Sequence, residues 1–145
     1  MEVTTVTWVI AITGLALIAL LGALQLVAVL RPRTEWTITN VYGGSPEATD
    51  PKAYFAFNQG MAWADMFWVP LQIAASIGML QGERWGFLLG LLASVPFWYT
   101  AVTIFIWDRD LDFRKNTVYY WVVVWAMWPV FGVVEGAYCF VRLLE

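Results

Sequence analysis

The sequence predicts an all-α membrane protein, a single-domain bundle of four transmembrane helices whose helices 2, 3 and 4 are kinked by proline. Composition, hydropathy and patterning predict it. Apolar residues make up 61% of the 145-residue chain and charged residues 13%, where a soluble domain carries about 25% charge. Mean hydropathy is +0.66. Four apolar stretches follow one another, at about residues 6–30, 57–80, 85–107 and 118–141. Each reaches the roughly 20 residues that a span needs, and a helix satisfies its own backbone in lipid.

The first stretch has no charge between Val3 and Leu30. It reads as a retained span rather than a signal peptide, because no basic start precedes it. A long loop is expected from Arg31 to about Ala56, with a turn at Gly43-Gly44-Ser45-Pro46. Its aromatics Trp36, Tyr42, Tyr54 and Phe55 could lie against a membrane surface. The second stretch is broken only by Asp65. A tight hairpin at Gln81–Arg84 makes it an antiparallel neighbour of the third. The fourth follows the charged turn Asp108–Thr117 and is broken only by Glu135.

Lysine and arginine set the expected orientation. With the amino terminus outside, the inner loops hold Arg31, Arg33, Lys52, Arg109, Arg114 and Lys115, and the outer side only Arg84 and Arg142. Both termini are therefore expected on the non-cytoplasmic side.

Several classes fall away. A net charge of −3 with no basic cluster excludes a nucleic-acid binder. A single cysteine, Cys139, excludes an internal disulfide framework. With no histidine, the usual general base and the Ser-His and Cys-His pairs are missing. The run Asp108-Arg109-Asp110-Leu111-Asp112 opens like a calcium loop, but Phe113 and Tyr119 stand where that loop needs glycine and glutamate. No metal or cofactor is expected.

The candidate site comes from polar groups within the spans. A carboxylate at membrane depth costs at least a few kcal/mol and usually faces the bundle interior, so Asp65 and Glu135 are candidates for ligand binding or catalysis. Asn58, Asp65 and Gln72 recur every seven residues and share one helical face with Ser76. By depth, Gln72 is the expected partner of Glu135 and Gln25 that of Asp65. Pro70, Pro96 and Pro129 stand near mid-span, where each removes a backbone hydrogen bond. Trp68, Trp98, Tyr99, Trp125 and Trp128 lie nearby and could wall a pocket for a flat apolar or cationic ligand. Ordinary helix packing is the competing account of the same tryptophans. Gly86, Gly90 and Ser94, with Gly132 and Gly136, form small-residue faces for close approach, within the chain or between chains.

Trp68-Val69-Pro70-Leu71, in a span with an acidic residue upstream, resembles the W-G-P-L segment of the EXPERA family. That family includes the emopamil-binding sterol isomerase and the sigma-2 receptor. The resemblance extends through Arg84–Asp108, with Tyr99 near a family tyrosine, and to the fourth span, where Tyr119-Tyr120-Trp121 to Trp128-Pro129 is similar to the family's aromatic last helix and its proline. It implies a proline-kinked bundle around a pocket for sterols or amphipathic amines. The histidine that the isomerase members use has no counterpart here.

Three functions are expected to compete. The first is an intramembrane aromatic and carboxylate pocket for a lipid-like, sterol-like or amphipathic amine ligand. The second is a small cation or amine transporter. The third is an accessory or assembly subunit. Expected partners are membrane lipids, a hydrophobic small molecule, and a second copy or a larger membrane complex. Whether the chain is an enzyme is left open by the sequence.

Overall fold

The computed structural model describes residues 1–41, 51–110 and 126–145, with backbone alone at 51, 53, 54, 104, 105 and 107–110. The described residues are helical, with no strand among them. In chain order they form α1 (Thr5–Leu30), α2 (Glu35–Asn40), α3 (Pro51–Leu80), α4 (Arg84–Asp110) and α5 (Trp128–Leu144). Among them, the segments Thr5–Leu30 and Arg84–Thr103 are long and apolar enough to cross a membrane.

α1 starts where a capping box allows it. The Thr4 side chain accepts from Thr7 N, and the Thr7 side chain accepts from Thr4 N, so two otherwise orphaned donors are satisfied. At its other end, carbonyls that the helix leaves unpaired are taken up by neighbours. Gln59 Nε2 on α3 donates to Ala28 O at 2.9 Å. Thr37 Oγ1 on α2 donates to Arg31 O at 2.8 Å.

α2 replaces part of the long loop expected between Arg31 and Ala56. Thr34 caps it by accepting from Thr37 N, and Glu35 stands in its first turn, where a negative charge complements the helix dipole. α3 also begins earlier than expected, at Pro51 rather than near Phe57. Proline suits a first helical position, because its missing N–H has no partner there anyway. The expected turn at 43–46 lies outside the described residues.

The α3–α4 hairpin is tight, as expected. Glu83 N donates to Gly78 O and Gly82 N to Met79 O, which together end α3 in a Schellman motif. Gly82 supplies the required left-handed backbone at φ 71°. Just beyond the turn the two helices nearly touch. A Cβ added to Gly78 would lie 2.6 Å from Gly86 Cα, so both positions need glycine.

α3 packs between α1 and α4, and α5 packs on α4. The small residues of α4 serve that last contact. A Cβ on Gly90 would come 2.7 Å from Cys139 Sγ, and one on Gly136 would come 2.7 Å from Ser94 Oγ. Both small-residue faces therefore meet inside the chain. The core between the helices holds Ile18, Leu21, Trp68, Met79, Phe87, Phe97, Trp128 and Phe131.

Pro70 and Pro96 lie inside α3 and α4. Pro129 stands in the first described turn of α5, just after π-helical backbone at Ala126 and Met127. Residues 111–125, which include the expected start of the fourth span, lie outside the described residues.

Both termini meet the α3–α4 turn at one end of the bundle. The Met1 amino group donates to Gly82 O. Arg142 Nη2 donates to Glu2 O at 2.7 Å, and Arg84 Nη2 to Leu143 O at 3.2 Å.

Candidate functional site

Among the described residues, α3 contributes to two polar places in the interior. Its face explains this. Ala62, Val69 and Ser76 lie on one side of the Asp65 direction, and Met61, Ala64 and Trp68 lie on the other. The first side meets α1. Val69 packs on Gly22, where an added Cβ would lie 3.2 Å from Val69 Cγ2. The second side meets α4.

The first place is a cleft between α3 and α4 of about 280 Å³. Phe57, Met61, Ala64, Asp65 and Trp68 line it from α3, and Val95, Pro96, Tyr99, Thr100 and Thr103 from α4. The α4 residues Pro96, Tyr99, Thr100 and Thr103 follow the i, i+3, i+4, i+7 spacing of one helical face. Asp65 is 5% exposed, and among the described residues it receives no hydrogen bond. Trp68 is fixed as a wall. Its Nε1 donates to Ala93 O at 3.0 Å, and its ring meets Phe97 edge-on at 4.4 Å. Thr103 Oγ1 is spent on backbone carbonyls, Tyr99 O and Thr100 O. The cleft thus offers one unengaged acidic group, aromatic surface and aliphatic side chains. Tyr99 and Val95 are exposed, so it opens sideways between the helices.

The second place is a buried pair. Gln72 Nε2 donates to Glu135 Oε1 at 2.7 Å, and both residues are fully buried. Ser76 Oγ lies 3.4 Å from the same nitrogen. Gly14 closes the pair against α1, since a Cβ there would come 2.6 Å from Gln72 Nε2.

The candidate residues therefore divide. Asp65, Trp68 and Tyr99 share the cleft. Gln72 and Glu135 pair with each other, as their depths imply, but away from it. Trp128 is buried in the hydrophobic core. Trp98 does not line the cleft; it is 42% exposed and points away from Phe97, which is fully buried beside it. Trp125 lies outside the described residues. The expected bond between Asp65 and Gln25 is not formed, because Asp65 turns toward α4 while Gln25 is on α1.

Sequence reasoning missed Thr100 and Thr103, although their spacing from Pro96 carried the signal. It also missed a polar network at the terminal end. Tyr138 OH lies 2.5 Å from Thr7 Oγ1 and 3.1 Å from Thr4 Oγ1. Arg142 sits over the Phe87 ring at 5.4 Å and pairs with Glu145 at 2.9 Å. Such a contact needs both termini in one place, which no local pattern reveals.

Comparison with protein-family models, with curated proteins and with solved structures gives no match for this chain.

Proposed function

We propose that this chain is a four-span integral membrane protein whose α3–α4 cleft binds an amphipathic ligand, with an amine group held by Asp65. The single observation that carries this reading is Asp65 itself. Among the described residues it is a buried carboxyl group without a hydrogen-bond donor, and it lines a cleft walled by Phe57, Trp68 and Tyr99. A buried carboxylate costs several kcal/mol unless a cation and hydrogen bonds compensate it. An ammonium group supplies both, and an aromatic wall attracts the same charge.

Size favours the amine over the sterol. Ligand pockets usually span about 300–1,000 Å³, and this cleft stands at the lower end. It takes a headgroup and the first part of a chain, with the rest leaving sideways past Tyr99 and Val95. The EXPERA-like segment Trp68–Leu71 contributes Trp68 to the wall, which supports that family reading as a proposal.

The four-span reading rests on length and composition. α3 is 30 residues long, about 45 Å at 1.5 Å per residue. The apolar sequence from 118 to 141 supports a fourth span, and the distribution of basic residues supports both termini outside the cytoplasm.

Mass spectrometry of the purified protein tests the ligand. A bound amphipathic amine or lipid is expected with the unaltered chain and reduced with Asp65→Asn and Trp68→Ala. A chain that carries no small molecule, and takes none up when offered long-chain amines, would remove this reading.

Transport of a small cation or amine is the second reading. The presence of another buried carboxyl group, Glu135, off the cleft favours it. It requires that Asp65→Asn abolish uptake into vesicles while the protein remains folded.

A further inference from the structure

The hydrogen bonds around Gln72 and Glu135 do not close among the described residues. Gln72 Nε2 serves Glu135 Oε1 and lies within reach of Ser76 Oγ. Gln72 Oε1 and Glu135 Oε2 are fully buried and have no partner among the described residues. With Glu135 ionised both are acceptors, so neither can satisfy the other. Buried polar atoms in native proteins are nearly always bonded.

Among the described residues, no neighbouring charge supplies what is missing. α1 has no charged residue between Val3 and Leu30 and meets the pair through Gly14. α4 has none between Arg84 and Trp107. On α3 the nearest ionisable group is Asp65, two turns from Gln72 and itself an acceptor. On α5, Cys139 is one turn away, and its Sγ donates to Met79 Sδ at 3.6 Å. Arg142 is two turns away and engaged by Glu2 O, Tyr138 OH and Glu145. A buried water could donate to both free oxygens, but it would leave a carboxylate charge uncompensated in a sealed core.

We infer that the pair is a proton-binding site, in which Glu135 Oε2 carries a hydrogen and donates it to Gln72 Oε1. One proton, taken from water, then satisfies both free oxygens and removes the charge. Gln72 Nε2 donates to Glu135 Oε1 in return, and acid and amide close a two-bond ring between α3 and α5. This inference is independent of the cleft and of its ligand.

The test is infrared spectroscopy of the full chain at neutral pH. The carbonyl stretch of a protonated carboxylic acid is expected in the unaltered protein and in Asp65→Asn. With Asp65→Asn already in place, it is expected to vanish on adding Glu135→Gln, whose amide keeps the shape of the pair. In Gln72→Ala it is expected at higher frequency, because the carbonyl loses its donor. Identical spectra for Glu135→Gln and the unaltered protein in this region would overturn the inference. A measurement on the unaltered chain needs no variant to fold. With ¹³C at the glutamate side-chain carboxyls, one resonance is expected at the position of the protonated acid at neutral pH. If every glutamate resonates as a carboxylate, the inference is wrong.

Discussion

Gln72 on α3 and Glu135 on α5 meet across the bundle through one 2.7 Å hydrogen bond between fully buried side chains. The two residues are 63 positions apart in the chain, so the contact ties the central helix to the last one. Gln72→Leu leaves Glu135 buried without its donor, and such a loss costs about 1–3 kcal/mol. Glu135→Gln retains a polar partner for Gln72 and is expected to cost less. Unfolding in detergent checks both; equal losses would show that the pair adds nothing to stability beyond its packing.

Trp68 holds α3 to α4 by a hydrogen bond and by its ring. Trp68→Phe removes the donor to Ala93 O and part of the ring volume while keeping an aromatic ring beside Phe97, and is expected to lose at least about 0.5–1.5 kcal/mol. Trp68→Ala also empties the space beside Phe97 and should lose about 3–5 kcal/mol. The same unfolding experiment separates the two, and a Trp68→Ala chain as stable as Trp68→Phe would contradict the packing described.

Glycines give a contrast within one helix. Gly78→Ala drives a methyl into Gly86 Cα at 2.6 Å and should destabilise the chain by about 1–3 kcal/mol. Gly60 has no atom within 4 Å of an added Cβ. Gly60→Ala should therefore stabilise it by up to about 1 kcal/mol, through helix propensity alone. Thermal melts of the two variants should move in opposite directions.

At the terminal end, Tyr138→Phe removes the hydroxyl that joins Thr4 and Thr7 to α5. A loss of about 0.5–1.5 kcal/mol is expected, with faster hydrogen exchange at the start of α1. Exchange there at the unaltered rate would mean that the capping box alone holds that end.

Depth along a helix was legible in the sequence, and direction around it was not. Counting residues at 1.5 Å each brought Gln72 level with Glu135, and the two bond. The same count brought Gln25 level with Asp65, and they do not, because Asp65 faces α4. Trp98 shows the same limit. It lies at the depth of the cleft, yet one residue along from Phe97 the helix has turned about 100°, and Trp98 points outward. In a soluble helix polar residues would mark the outer face. Here exposed positions such as Leu88, Leu92 and Val95 are as apolar as the buried Phe87 and Phe97, so hydropathy carries no direction. Turn chemistry was readable where glycine forced it, at Gln81–Arg84. It was overlooked at Thr34, where a capping threonine followed by Glu35 begins α2 inside the expected loop.

The proposed role of Asp65 is that of counter-charge to a bound amine. Its most direct test is titration of a long-chain amine, dodecylamine, into the detergent-solubilised protein, with dodecanol as the uncharged control. A charged hydrogen bond contributes about 1.5–3 kcal/mol, and each 1.4 kcal/mol is tenfold in affinity. Dodecylamine is therefore expected to bind the unaltered chain at least about tenfold more tightly than Asp65→Asn, and dodecanol to bind both alike. Equal affinity of dodecylamine for the two chains would contradict the account.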